Sequence, residues 1–221
     1  GTWDPDNKVL QVQKVFPGRG QSSGRDVEMD PVAEVEIRDL IAAENMIVIG
    51  WYHSHPIFPT HPSGVDIDNQ INYQSLFRDS KTSLEPFIAF IVGPYDLRLP
   101  TQSSKVQTFY VQHRGGQPTP LEIEYSVTDD TPAPTIMDTV TSLVIGEKFS
   151  ENRVMPTELW RPFTKLEAGQ PIGGPITKLA KLRASLTTYL EKTTLSFDES
   201  QEFLDKIAKC IQDSWEVDLG Y

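Results

Sequence analysis

The sequence predicts an α/β fold in which a mixed β-sheet is flanked by helices and followed by a C-terminal helical extension. Strand and helix signals alternate over roughly the first hundred residues. Residues 46–52 form a continuously apolar run, which is typical of a sheet strand buried on both faces. Beyond about residue 135 the apolar residues recur mainly at helical spacing. A chain of 221 residues is long enough for one large domain with such an extension.

The first elements follow from alternation and helix-start signals. Residues 9–16 alternate between apolar and polar and predict a strand. Asp30 and Pro31 then predict the start of a helix, because Asp is a favoured N-cap and Pro is tolerated in the first helical turn. The apolar face of this helix is predicted to comprise Ala33, Ile37, Leu40 and Ile41. The run at 46–52 is expected to be the central strand of the sheet.

The remaining elements are a second helix, further strands and a helical tail. Ser63 is a candidate N-cap for a helix at about 64–77, whose inward residues are predicted to be Ile67, Ile71 and Leu76. Strands are expected at 86–92, 105–112 and 121–127, with a turn at Gly115 and Gly116. A helix is expected at 135–149 and irregular structure at 151–175. Two helices after residue 176, the second starting at a Ser196–Glu199 capping box, predict an αα-hairpin.

We therefore expect three regions, which are a core at 1–128, a connector at 129–175 and a helical hairpin at 176–221. The composition excludes several classes of function. A net charge of −11 argues against direct nucleic-acid binding, which needs basic patches. No apolar run reaches the ~18 residues of a membrane span. The single cysteine, Cys210, excludes an internal disulfide and a Cys-rich zinc finger, so we expect an intracellular protein.

The strongest functional signal lies at residues 53–66. His53 and His55 are two residues apart, so on an extended strand both side chains point to one face. A carboxylate, Asp66, follows 11 residues after the second histidine. Two imidazoles and one carboxylate leave one position of a tetrahedral zinc ion open, which is the layout of a catalytic rather than a structural zinc site.

Each feature of this segment also has a simpler interpretation. Ser63 and Asp66 have the spacing of a helix capping box, so the aspartate is equally suited to stabilising a helix N-terminus. His61 is expected to be solvated or to contact substrate, and His113 to be a surface histidine. The two aromatic residues before the histidines are expected to be core or groove residues, namely Trp51 and Tyr52.

The complete motif distinguishes between these interpretations. The stretch GWYHSHP at 50–56 contains both histidines, seven residues separate His55 from Ser63, and two residues separate Ser63 from Asp66. This pattern resembles the active-site motif of the JAMM (MPN+) metalloprotease family, and every position of that motif is filled. The similarity extends over about residues 1–127. It is greatest to the nuclear branch that includes the Myb-like, SWIRM and MPN domain histone deubiquitinase and the MPN domain-containing protein.

The resemblance implies a cytidine-deaminase-like MPN core and a ubiquitin isopeptidase activity. It implies that His53, His55 and Asp66 hold one zinc ion, which activates the attacking water. It further implies that Ser63 stabilises the oxyanion of the attacked carbonyl. The bond cleaved would join the C-terminus of ubiquitin to a lysine. Substrate contacts are expected at Trp51, Phe58 and His61.

Partners and location also follow only from the resemblance. The expected partners are ubiquitin or a ubiquitinated protein, with a histone as one candidate, and a second MPN subunit. The expected location is the nucleus, the cytoplasm or both, without membrane contact.

The family also uses a glutamate as general base, on the element before the first strand of this sequence. The resemblance therefore implies that this glutamate, together with an N-terminal helix and first strand, precedes Gly1. Glu28 precedes a helix cap and is in the wrong place for the role. Two functions follow: a zinc-dependent deubiquitinase whose base lies upstream, or a catalytically inert MPN scaffold subunit of a larger complex. Retention of all four motif residues favours the deubiquitinase.

We predict that residues 1–221 by themselves bind zinc but hydrolyse ubiquitin conjugates very slowly, because the resemblance implies that the proton-transferring glutamate lies before Gly1. The measurement is cleavage of a ubiquitin isopeptide substrate with and without a zinc chelator. Rapid, chelator-sensitive cleavage by this chain would contradict the prediction.

Overall fold

The computed structural model describes residues 1–18, 20–22, 27–127, 136–150, 153–162, 164–165, 171–172 and 174–215. It divides into two compact units, each interrupted in sequence. The first contains Gly1–His53, His61–Ile91 and Gln107–Ile123, and the second contains Ser54–Thr60, Val92–Val106 and Glu124–Tyr221.

The first unit begins with two short antiparallel pairs and a helix. Strands β1 (Thr2–Asp4) and β2 (Val9–Gln11) pair with each other, as do β3 (Gly20–Ser22) and β4 (Val27–Met29). The strand expected at 9–16 thus forms only over its first three residues. Helix α1 (Pro31–Ala43) starts as predicted, with the Asp30 carboxylate accepting from two backbone N–H groups of the first turn.

A four-stranded mixed sheet is the main framework, as the sequence predicted. Its order is β5 (Gly50–Ser54), β6 (Ile88–Gly93), β7 (Lys105–Arg114) and β8 (Gln117–Glu122). The β5 and β6 segments run parallel, because hydrogen bonds link residue 49 to 88 and residue 55 to 92. Strands β7 and β8 are antiparallel and joined at Gly115 and Gly116, whose φ values of 58° and 79° require the left-handed region. The prediction of a turn there is confirmed.

Helix α2 (Gly64–Leu76) covers the sheet and closes the core. Ile67 and Ile71 on this helix pack, with Trp51 of β5, against a buried cluster on the sheet. That cluster consists of Ala89, Ile91, Phe109 and Val111. The burial of these apolar side chains is the dominant favourable term holding helix and sheet together.

Several packing predictions were wrong, for geometric reasons. The run at 46–52 is not a strand buried on both faces, since β5 begins at Gly50 and the side chains of Ile47 and Tyr52 are 52% and 42% exposed. Leu76 is 75% exposed, because five residues after Ile71 a helix has turned about 140° away. Leu40 is 56% exposed, one position from the buried stripe of α1. The strand expected at 121–127 is β8, which ends at Glu122.

The second unit combines helices with short strands. Helix α3 (Ile136–Gly146) continues into a 3₁₀ turn, and short strands follow in the region expected to be irregular: β9 (Leu159–Arg161), β10 (Thr164–Lys165) and β11 (Pro171–Ile172). Strand β12 (Ile176–Thr177) pairs with β9 and leads into α4 (Lys178–Leu190) and α5 (Phe197–Trp215).

Helix α5 packs against α3 and α4, and its predicted capping box is present between Ser196 and Glu199. No helix in the described ranges is long and apolar enough to cross a bilayer. The region boundaries expected at 128 and 175 remain predictions.

A fully buried lysine lies in the second unit. Lys181 of α4 is 0% exposed, and its ammonium donates to Ser104 Oγ at 2.7 Å. The ammonium lies 5.5 Å from the ring centroid of Trp160 and 5.8 Å from that of Tyr95. Burial, with a further effect of the Arg161 charge, lowers the pKa of Lys181 to about 8. The folded protein therefore releases this proton at a lower pH than the unfolded chain does.

We predict that the free energy of unfolding rises between about pH 8 and pH 10 because of Lys181. Below this window both states are protonated and the folded state carries the full cost of burying the charge. Within the window only the unfolded chain keeps the proton, so the free energy of unfolding rises by at most about 3 kcal/mol. Urea unfolding at several pH values should show a flatter dependence for Lys181→Met than for wild type. Lys192→Met, at an exposed position, is the control and should show the same pH dependence of the free energy of unfolding as wild type. A wild-type pH dependence for Lys181→Met would contradict the prediction.

Candidate metal centre

The start of α2 places one carboxylate with defined orientation. Ser63 is the N-cap, and its Oγ accepts from the Asp66 backbone N–H at 3.2 Å. In return, the Ser63 backbone N–H donates to Asp66 Oδ2 at 2.7 Å. The capping-box interpretation is therefore confirmed. The cap is compatible with a functional role of Asp66, because the cap uses the Oδ2 atom whereas the Oδ1 atom faces His53.

His53 of β5 faces that second oxygen. Its Nε2 lies 3.1 Å from Asp66 Oδ1, and the two side chains are only 16% and 10% exposed. Burial by itself raises the pKa of Asp66, but the hydrogen bonds from His53 and Ser63 outweigh it and lower that pKa to about 2. The carboxylate is therefore ionised at neutral pH, which is the form that binds a cation.

His55 follows β5 directly and is held at both its backbone and its ring. Its backbone N–H donates to Val92 O at 2.9 Å, and its Nδ1 lies 2.6 Å from Pro59 O. A carbonyl oxygen only accepts, so Nδ1 carries the hydrogen and, in the neutral ring, Nε2 keeps its lone pair. This arrangement, in which one ring nitrogen is held by a carbonyl, is typical of metal-binding histidines.

The structure brings the three predicted ligands together. One candidate ligand atom from each of His53, His55 and Asp66 lies within 4.8 Å of the others. Two ligands of a tetrahedral zinc ion at 2.0–2.1 Å lie about 3.3 Å apart. The 3.1 Å between His53 Nε2 and Asp66 Oδ1 fits this spacing. Two imidazoles and one carboxylate also form a donor set that zinc accepts, so the chemistry of these residues fits the ion.

The other predicted site residues have different surroundings. Ser63 is exposed and adjoins the Asp66 carboxylate. Trp51 is half-buried, and its ring stacks on the His53 imidazole with centroids 4.7 Å apart and planes at 9°. Phe58 is 59% exposed and His61 is exposed. His113, predicted to be a surface histidine, is exposed on β7.

Sequence reasoning missed two buried amides behind the site. Gln70 and Gln74 of α2 are 0% and 2% exposed, and Gln70 Oε1 accepts from the Trp51 indole N–H at 2.8 Å. The available signal was their spacing, since Asp66, Gln70 and Gln74 stand at i, i+4 and i+8. This places three polar residues on one face of the helix, beside the apolar Ile67 and Ile71.

Comparison with known proteins defines the class to which this site belongs. Residues 1–78, which include all four motif residues, match the family described as JAB1/Mov34/MPN/PAD-1 ubiquitin protease. The chain therefore contains a domain of the JAB/MPN family, as the motif predicted.

Relatives from the predicted branch are similar over more of the chain. The Deubiquitinase MYSM1 of Homo sapiens is 30% identical over 212 residues, covering 94% of this chain and 24% of that protein. The MPN domain-containing protein of Danio rerio is 28% identical over 199 residues, covering 87% of this chain and 40% of that protein. A relative of Xenopus laevis, named as a histone deubiquitinase, is 34% identical over 131 residues, covering 57% of this chain and 16% of that protein. The chain thus spans less than half the length of these relatives.

We predict that Asp66→Asn weakens zinc binding by at least about 100-fold, because removal of a ligand costs more than the 10–100-fold typical of its supporting partners. Asparagine keeps an oxygen that can accept from the Ser63 N–H, so the helix start should persist. The measurement is competition for zinc with a chromogenic chelator. Asp68→Asn, an equal charge change at an exposed position of the same helix, is the control and should bind zinc as wild type does. Equal affinities of the two variants would exclude Asp66 as a ligand.

Proposed function

We propose that this domain is a zinc-dependent isopeptidase that hydrolyses the bond between the ubiquitin C-terminus and a lysine. The observation that carries the proposal is the convergence of His53, His55 and Asp66 within 4.8 Å, beside the Ser63 cap. Three ligands leave a coordination position open for water or substrate, as in zinc hydrolases. Relatives named as deubiquitinases support the substrate class.

A zinc ion bound there would supply Lewis acidity, lowering the pKa of a water and polarising the scissile carbonyl. The protein groups orient the reaction. His55 is locked by Pro59 in the tautomer that exposes Nε2, and Asp66 is held ionised by Ser63 and His53. Both side chains are thus oriented before an ion binds, and binding at His53 Nε2 would displace the proton that this atom shares with Asp66.

Ser63 is suited to stabilise the developing oxyanion. Its hydroxyl oxygen accepts from the Asp66 N–H, which uses only a lone pair, and turning the hydroxyl hydrogen from the Asp66 carboxylate to the substrate would make it a donor to the oxyanion. Because Ser63 is exposed next to a metal ligand, that hydrogen can reach a carbonyl oxygen of a bound substrate. The same residue therefore serves the helix through its oxygen and the reaction through its hydrogen.

Substrate recognition and proton transfer need further groups. We propose that exposed Phe58 and His61, with the edge of Trp51, contact the ubiquitin tail. The general base would be the glutamate that the family resemblance implies before Gly1. A ubiquitinated histone as substrate, a second MPN subunit as partner and a nuclear location are proposals that rest on the named relatives.

The test is to measure the zinc content of the full-length natural protein and its cleavage of ubiquitin conjugates. Stoichiometric zinc and chelator-sensitive cleavage of a lysine-linked ubiquitin substrate are expected. A protein that binds zinc without cleaving any ubiquitin conjugate would contradict the isopeptidase. A zinc-free, inactive protein would instead be the inert scaffold.

We predict that Ser63→Ala in the natural protein lowers kcat by ~10²–10³ while zinc content is retained, because one oxyanion donor is lost and no ligand is. The lost cap should cost about 1 kcal/mol of stability. Ser196→Ala is the matched control, since it removes the same capping box from α5. It should lower stability by a similar amount and leave kcat unchanged. Equal kcat values for the two variants would show that Ser63 acts only as a cap.

A further inference from the structure

We propose that Gln70 and Gln74 are positioning residues that hold His53 in its metal-binding orientation through Trp51. This inference rests on the proposed zinc site but concerns residues outside the motif. Both glutamines are buried, and a primary amide is costly to bury unless its hydrogen bonds are satisfied. The hydrogen bonds of the two amides show which groups they hold in place.

The amides form a continuous chain of hydrogen bonds from the sheet to the site. Gln74 Oε1 accepts from Val111 N–H at 2.8 Å, and its Nε2 donates to Val111 O at 2.9 Å. Gln70 Nε2 donates to Gln74 Oε1 at 3.0 Å and to Phe87 O at 2.8 Å. Gln70 Oε1 then accepts from Trp51 Nε1 at 2.8 Å. Helix α2 is thereby joined to β7, to the start of β6 and to β5.

The direction of every bond in this chain is determined by groups that cannot reverse their role. A backbone N–H and an indole N–H only donate, and a backbone carbonyl only accepts. Val111 therefore fixes which end of the Gln74 amide is oxygen, while Phe87 and Trp51 fix the Gln70 amide. Rotating either amide by half a turn would set donor against donor and acceptor against acceptor. The chain has one arrangement, so it can hold the indole at one orientation.

The indole in turn determines the plane of the His53 ring. The two rings are nearly parallel at 9°, with centroids 4.7 Å apart. Turning the imidazole out of this plane would push the indole away from Gln70 and leave buried amide groups unsatisfied, at about 1–3 kcal/mol each. The chain also ties together the two elements that carry ligands. Asp66 lies one helical turn before Gln70, and His53 lies two residues after Trp51.

The decisive measurement is the zinc dissociation constant of the whole chain, by competition with a chromogenic chelator. Gln70→Met keeps the length and apolar stem of the side chain but removes the amide. We expect its zinc dissociation constant to rise about tenfold or more, the effect typical of losing a group that orients a ligand. The absorption spectrum of the Co²⁺-loaded protein should also shift, since it reports ligand geometry.

Thr108→Val is the matched control for a purely structural role. Thr108 is also buried on the sheet, and its hydroxyl donates to Ile123 O, but it is not part of the amide chain. This variant should lower thermal stability without changing zinc affinity or the Co²⁺ spectrum. If Gln70→Met also loses only stability, the positioning role is excluded. If wild type itself binds no zinc, the proposed function fails before this inference is tested.

A double-mutant cycle tests whether Gln70 acts through the indole. Trp51→Phe keeps a stacking ring and removes the N–H, so it should raise the zinc dissociation constant several-fold. In that background Gln70→Met should have a much smaller effect than in wild type, because the link is already broken. The full tenfold effect in both backgrounds would overturn the proposal. If Gln70→Met does not fold, Trp51→Phe tests the proposal by itself. An unchanged zinc affinity of Trp51→Phe would then contradict the proposal.

Discussion

The division of one carboxylate between two partners is the constraint on which the site depends. Asp66 uses Oδ2 to accept from the backbone of Ser63 and turns Oδ1 towards His53. Helix capping therefore orients a candidate metal ligand, and the same bonds keep it ionised despite burial. A free side chain would lose rotamer entropy on binding the ion, whereas here that entropy is already lost on folding.

A second set of hydrogen bonds acts on His53 through the Trp51 indole, on which its ring stacks. The buried amides of α2 satisfy each other, two backbone carbonyls, one backbone N–H and the Trp51 indole. Loss of one partner from a polar chain of this kind is destabilising, because it leaves a buried group without its hydrogen bond. That property makes it suitable for fixing an orientation, which apolar packing alone does less specifically. Helix α2 thus carries a candidate ligand together with the amides that join it to the sheet.

Much of the fold and of the site was predictable because it depends on local rules. The Asp30 and Ser196 caps and the glycine turn all follow from short-range stereochemistry. The errors arose where solvent exposure depends on neighbours distant in sequence. Leu40 and Leu76 satisfy the periodicity of a helix only approximately. No local signal shows how much of a helix surface the rest of the protein will bury. The strands between 159 and 172 are only two or three residues long, which is too short to show a periodic sequence pattern.

The sequence by itself determined the identity of the proposed ligands, since residue type and spacing specify which groups can meet on one strand and the following helix. Only the tertiary structure decided how these groups are held. The tautomer of His55 depends on Pro59 O, and the ring plane of His53 depends on amides that a pattern of polar residues does not distinguish from surface ones. The physical reason is that a hydrogen bond requires both partners at fixed distance and direction. Spacing along the chain determines neither until the sheet and helix have packed.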